Sequence, residues 1–184
     1  LGELKPAPME PLKIKEIYQP VDVREVETGE WQYDLGKNFS GWARIFLKTD
    51  GSRAGQKVVL KTAEKLDENG RIDQSVTGKD YAWTYVLNDK KEQEFAPDFT
   101  YTGFRYVEMT GAVPEKEITL QGEFIYPDID QAGDFSCSNT LFNQIHEIVL
   151  QAIKSNTKSY FTDCPHREKL GWLEQTHLIG PSIM

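Results

Sequence analysis

Between positions 163 and 175 the chain sets Asp163, His166, Arg167, Glu168, Lys169, Trp172 and Glu174, its densest run of groups able to accept, donate or move a proton. Carboxylates beside an indole suit sugar chemistry. The indole face stacks on the apolar face of a pyranose and excludes water, and loss of water raises a neighbouring carboxyl pKa, as protonation of a leaving group requires. Loops between rigid elements commonly carry such groups. A plainer account fits the same residues. Asp163 would cap a helix, Arg167 would pair with a helix-end carboxylate, Glu168 and Lys169 would face solvent, and Trp172 would fill core. Spacing alone leaves both open. A Cys164–His166 nucleophile is disfavoured, because side chains two positions apart rarely meet in good geometry. His146 and His177 stand alone and read as structural.

Trp42, Tyr81, Trp83 and Tyr101 form a second group, either an exposed sugar-stacking platform or the filling of a β-core. Asp67, Glu68, Asn69 and Asp73 offer oxygens of the kind that bind Ca²⁺, but no EF-hand pattern frames them, and acidic turn residues are ordinarily solvated. Cys137 and Cys164 fit no zinc spacing and read as free thiols. No metal and no cofactor is expected.

The elements that must position these residues change character along the chain. Period-2 alternation runs through 31–35 and again through 42–47, with a turn expected at 36–41. Turn signals at Asp50-Gly51 and Ala54-Gly55 precede an apolar alternation over 56–63 through Val58 and Leu60. A loop at 67–70 and strands over 81–87, 103–109 and 118–126 follow. Short strands separated by regular turns predict an antiparallel β-sandwich, jelly-roll or concanavalin-like. From Leu141 the apolar residues Phe142, Ile145, Ile148, Val149, Ala152 and Ile153 fall at helical spacing, with Ser138 as the expected N-cap. Pro165 keeps Cys164 out of a helix, so 162–165 is a loop. A second helix is expected from 169 or 170 onward, broken at Gly180-Pro181. The shift from strand to helix puts a domain boundary near 134, giving a β-sandwich at 1–134 and a helical segment at 135–184.

A formal charge of −8 leaves no basic face for a phosphate backbone, which argues against nucleic acid as a partner. No apolar run reaches the roughly 20 residues of a membrane helix. With 39% hydrophobic and 27% charged residues, a folded domain is expected over most of the 184 positions. Leu1 at one end and an apolar Ile183-Met184 at the other suggest a piece cut from a longer protein.

Three stretches together resemble the bacterial α-L-rhamnosidases: DLGKNFSGW at 34–42, PDFTYTGFRYV at 97–107 and DCPHREKLGW at 163–172. They occur in that family's order, and the similarity spans nearly the whole chain. The resemblance implies an inverting glycosidase whose catalytic domain is an (α/α)₆ barrel, of which residues 135–184 would be the truncated start. Glu168 then matches the general acid and Asp163 a residue that binds rhamnose hydroxyls, with Arg167 and Trp172 lining the same pocket. Inversion needs a second carboxylate as base, roughly 6.5–9.5 Å from the acid. The resemblance puts that base much later in the catalytic domain, so this stretch alone should be inactive, with the remainder of that domain as its partner. The implied substrate is a carbohydrate ending in rhamnose or a related sugar, and the implied source is bacterial, with the compartment left open. One departure concerns specificity. Many members carry Gly-Asp after the Trp-containing turn, where this chain has Glu174-Gln175. A pocket carboxylate is thereby replaced by an amide, and Glu174 points about 100° away around a helix. The rival reading is a non-catalytic carbohydrate-binding or structural sandwich module.

Overall fold

A computed structural model describes residues 2–6, 9–111 and 117–182. Ten strands are described: β1 (Leu12–Tyr18), β2 (Asp22–Glu27), β3 (Glu30–Lys48), β4 (Lys57–Ala63), β5 (Lys65–Leu66), β6 (Ile72–Asp73), β7 (Ala82–Val86), β8 (Glu92–Phe95), β9 (Thr102–Thr110) and β10 (Ile118–Pro127). Two α-helices follow, α1 (Thr140–Asn156) and α2 (Leu173–Ile179), and a 3₁₀ turn at Gly180–Ser182. The expected mainly antiparallel β architecture with a helical tail is what forms.

Strand β3 organises the sheet. Its first half pairs with β2 and β9, and its second half with β10 and β8. The sheet order β1-β10-β3-β9-β4-β7 therefore curls over on itself along one long strand. The expected turn at 36–41 is instead a register shift between Asp34 and Phe39 within a continuous strand. A bulge of this kind bends a strand without ending it. Gly41 marks the changeover, since a Cβ there would lie 1.8 Å from the Glu123 carbonyl oxygen, so only glycine lets β3 and β10 approach.

Alternation then does what the sequence pattern implies. Tyr33, Leu35, Phe39, Ala43, Ile45 and Leu47 of β3 turn inward and meet Val58 and Leu60, Phe104, Val107 and Met109, and Leu120 and Phe124. Phe104, Val107, Met109 and Phe124 are completely enclosed. Two carboxylates are buried with them and are fully bonded. Glu108 accepts from Arg71 Nε at 2.8 Å, Gln32 Nε2 at 3.0 Å and the Ile72 amide at 3.1 Å. Glu123 accepts from Arg44 Nε at 2.6 Å and from the Trp42 indole. Burial pushes both carboxyls up, but these bonds outweigh it and leave them below the usual range.

Helix α1 starts one residue later than expected. Asn139, not Ser138, is the N-cap, its side chain accepting from the Leu141 amide at 2.9 Å, while Asn143 folds back on both backbone groups of Cys137. Its inner face packs on β10 and β3, and polar groups tie it to β3 and β1: Gln151 Nε2 donates to the Asn38 carbonyl at 3.0 Å, and Lys154 lies 3.4 Å from Glu16. Leu141, Phe142, Ile145, Ile148 and Val149 face outward and are exposed, as is Leu178 of α2. Ile183 and Met184, the apolar end noted in the sequence, lie outside the described residues.

The second helix is shorter than the spacing suggested. It begins at Leu173, because Lys169 sits at φ 56° in the left-handed region, which a run of α-helix excludes. The break at Gly180-Pro181 is observed as the change from α-helix to 3₁₀ turn.

Candidate active site

The loop from Ser159 to Trp172 is built on a buried lysine. Lys158, one of the best-enclosed polar residues, donates from Nζ to Ser40 Oγ at 2.7 Å and to the Ile125 carbonyl at 2.6 Å. The rings of Tyr101 and Phe124 lie 5.3 and 6.0 Å from the ammonium. Burial, with some repulsion from Lys169, lowers its pKa to about 7. The chain then turns sharply, with the Thr162 amide bonded to the Asn156 carbonyl at 2.8 Å.

Asp163 ties the loop to itself. Its amide donates to the Leu170 carbonyl at 2.9 Å, and Oδ1 accepts from the Cys164 and Leu170 amides at 2.8 and 3.0 Å. Oδ2 accepts from Trp172 Nε1 at 3.0 Å, so the indole is oriented by the carboxylate. Burial pushes the Asp163 carboxyl up, but the bonds from Trp172, Leu170 and Cys164 leave it below the usual range.

Glu168 stands at the outer rim, exposed. The Cys164 thiol donates to its Oε2 at 3.0 Å, the Glu168 amide donates back to Cys164 Sγ at 3.3 Å, and Arg167 Nε lies 3.1 Å from Oε1. The thiol bond chiefly, with the Arg167 charge adding, holds this carboxyl below its usual range. Ligand atoms of Asp163, Cys164 and Glu168 lie within 4.8 Å of one another. The donors of that trio are already engaged within the loop. The two carboxylates also share one side of it, with Cys164 bonded to both, so they do not flank a bond in the manner of an acid and base pair.

The underside of the loop rests on the sandwich. The Tyr81 hydroxyl donates to the His166 carbonyl, the Gly103 amide donates to the Pro165 carbonyl at 3.1 Å, and Lys169 Nζ donates to the Tyr101 carbonyl. Lys169 also lies over the rings of Tyr101 and Tyr81, at 4.3 and 5.2 Å. Burial, with Lys79 nearby, lowers its pKa to about 8. Gly103 is required by the contact: a Cβ there would meet Pro165 Cγ at 2.6 Å and Glu64 Oε1 at 2.9 Å.

The structure thus gathers Asp163, Arg167, Glu168 and Trp172 into one group. Glu174 and Gln175 stand apart on α2, Glu174 exposed and Gln175 half-buried with its Oε1 shielded from solvent. Among the described residues no hydrogen bond joins either to the Asp163–Glu168 group. Cys164 and His166 do not pair: the thiol faces Glu168 and the imidazole faces Glu64. Both cysteines are free. Tyr81 is buried, as the core reading expected, though outside the main cluster, Trp42, Trp83 and Tyr101 are half-buried, and Tyr81 and Tyr101 form the seat of the loop. Asp67 caps its own turn, and Asp73 pairs with Lys65 at 2.7 Å, which together with the bonds from Ser75 holds the Asp73 carboxyl below the usual range. The residues that sequence reasoning missed are the seat itself: Asn38, Glu64, Tyr81, Gly103 and Lys158. Asn38 and Gly103 lie inside stretches singled out above, but nothing in their types signals a loop docked from about 60 residues or more away.

The fold is shared with known alpha-L-rhamnosidases. Residues 24–126 match the bacterial alpha-L-rhamnosidase concanavalin-like domain, and residues 130–184 match the bacterial alpha-L-rhamnosidase 6 hairpin glycosidase domain. The chain is 32% identical over 167 residues to an alpha-L-rhamnosidase of Formosa agariphila, a match covering 87% of the chain and 17% of that protein. It superposes on the alpha-L-rhamnosidase of Dictyoglumus thermophilum with a TM-score of 0.85 at 32% identity, over 95% of this chain and 20% of that one. The Streptomyces avermitilis enzyme, solved with L-rhamnose, gives 0.87 at 29% identity over 96% of this chain and 17% of that one. The chain belongs to the bacterial α-L-rhamnosidase family. It spans about a fifth or less of the length of these relatives.

Proposed function

We propose that this chain is the sandwich and acid-bearing loop of an inverting glycoside hydrolase that removes terminal α-L-rhamnose, with Glu168 as the general acid. The observation that carries this reading is the seat. The sandwich holds Pro165, His166 and Lys169 from below, which leaves Glu168 facing outward beside Asp163 and Trp172. There the carboxyl donates its proton to the oxygen of the leaving group, while Asp163, Arg167 and the Trp172 ring hold the sugar. The base that activates water belongs to a part of the enzyme outside these residues, so the chain alone does not turn over. A division near residue 134, between a sandwich and the first helices of a barrel, fits the same scheme. Proton donation needs a higher pKa than Glu168 has on this open rim. The rest of the barrel and the bound sugar supply that by excluding water and competing for the Cys164 thiol. The non-catalytic binding reading loses its platform, since Tyr81 and Tyr101 are engaged by Lys169.

The test is hydrolysis of unsubstituted phenyl α-L-rhamnoside, whose leaving group needs a proton, by the full-length enzyme, followed by NMR during the first turnovers. Inversion yields the β-anomer of rhamnose first, and Glu168→Gln abolishes most of the rate. Initial release of the α-anomer, or a fully active Glu168→Gln variant with its fold intact by circular dichroism, refutes the mechanism.

A further inference from the structure

We infer that Glu64, a residue of the sandwich, is a positioning residue for the general acid, acting on the catalytic loop through His166. The inference rests on the reading of Glu168 given above. Glu64 follows β4 directly, and its carboxylate is oriented from one side and applied on the other. Asn38 Nδ2 donates to Oε1 at 2.9 Å, while Oε2 lies 3.2 Å from His166 Nδ1. Both partners are largely enclosed, with side-chain exposures of 22% for Glu64 and 16% for His166. Nδ1 itself is sealed from solvent, and the ring is turned out of line for a full hydrogen bond, so Glu64 is the acceptor within its reach.

His166 is two residues before Glu168. Its carbonyl is fixed by Tyr81 and the preceding carbonyl by Gly103, so the backbone at 165–166 is pinned at two points. The imidazole is the third point, and three points fix orientation where two leave a hinge. Asn38 extends the frame, since its own carbonyl accepts from Gln151 of α1. One sandwich position thereby sets both the helix and the loop. Glu64 touches neither Glu168 nor any group of the proposed sugar pocket, so its effect is on aim and not on chemistry. Small misplacement of a catalytic group costs on the order of a hundredfold.

A positioning role for the acid makes a prediction that a merely structural role does not. An aryl glycoside with a dinitrophenolate leaving group departs without a proton, whereas a sugar or simple alcohol needs one. In the full-length enzyme Glu64→Ala should lower kcat about tenfold to a hundredfold on a rhamnosyl disaccharide. It should leave kcat on dinitrophenyl α-L-rhamnoside close to wild type and KM unchanged on both. Glu64→Gln, which keeps an acceptor for His166, should recover most of the loss. Equal losses on both substrates, or no loss on either, would overturn the inference. Glu168→Gln measured alongside separates the two layers. If that variant shows the leaving-group dependence and Glu64→Ala does not, only the role of Glu64 falls. If Glu168→Gln loses no more on the disaccharide than on the dinitrophenyl substrate, the acid assignment falls and this inference with it.

Discussion

Lys158 makes the stability of the chain depend on pH in a way that one substitution should erase. In the unfolded chain its ammonium keeps its proton to the ordinary value of 10.5, whereas burial, with Lys169 nearby, brings the folded value to about 7. Between those limits the unfolded state binds more protons, so folding stability rises with pH across the window. Below pH 7 both states are protonated and the cost of the buried charge is fully present. With folded and unfolded values of 7 and 10.5, the rise from pH 7 to 9 is about 2 kcal/mol, at roughly 1.4 kcal/mol per tenfold change in proton affinity. Lys169, with a folded value of about 8, adds a contribution of the same sign, reduced by its greater contact with solvent. Tyr18, Tyr101 and Tyr126 are pushed up by burial and pull the other way, but only above about pH 10. Urea titration at pH 7, 8 and 9 would therefore show the midpoint climbing in the wild type. In Lys158→Met, which keeps the apolar stem and removes the ammonium, most of that climb should vanish. Parallel pH profiles for the two proteins would refute the reasoning. They would mean that Ser40, the Ile125 carbonyl and the two ring faces replace the lost water well enough to keep the ammonium charged.

Three further outcomes follow from packing. Gly103→Ala should cost about 1–3 kcal/mol in urea titration, because its new methyl must displace the Pro165 ring or the Glu64 carboxylate; an unchanged midpoint would mean that the loop is not seated there. Glu108→Ala should cost about 3 kcal/mol by the same assay, since it strands the Ile72 amide and part of Arg71 and takes one of two acceptors from Gln32 Nε2. Arg71 keeps Glu27 and Glu30, which places the loss at the low end of the range for a broken buried pair. The chain expressed alone should self-associate through the outward face of α1 in sedimentation velocity, and Ile145→Ser with Ile148→Ser should reduce that association.

What could be read in advance was whatever local chemistry fixes. Alternation in 42–47 and 118–126 is a face-by-face instruction, and those strands form as written. The helical run from Leu141 carries its own period, although the cap moved by one residue to the better-placed Asn139. Local chemistry failed where distance decides. Gly36 looks like a turn residue in isolation, yet β9 pairs with β3 on both sides of it, up to Asp34 and again from Phe39, so β3 continues past it. The helix expected from 169 starts late, at Leu173, because Lys169 takes a left-handed backbone while its ammonium lies over Tyr101 and Tyr81. At the candidate site, Asp163, Arg167, Glu168 and Trp172 were recognisable together since one loop holds them. Glu64 and Tyr81 were not, since nothing in a lone Glu after a strand or a Tyr before one shows that it supports a loop some 80 to 100 residues further on.

The seat also explains why stretches so far apart in the chain behave as one site. Asp34 and Arg105 form a two-point ion pair, 2.7 Å at each contact, that ties the first stretch to the second. Asn38 of the first then reaches Glu64, and Gly103 of the second receives Pro165. The third stretch therefore inherits its geometry from the other two. What it does not inherit is a proton affinity suited to acid catalysis. Every neighbour that bonds to Glu168 here, the Cys164 thiol and Arg167 above all, favours the charged form. Position and pKa thus come from different sources. In the proposed mechanism the sandwich sets the position before any substrate arrives, and closure of barrel and sugar over the rim raises the pKa. On the proposed reading, a loop with its aim fixed and its acidity left open takes up its proton when bound substrate excludes water from it, which would confine proton donation to the occupied site.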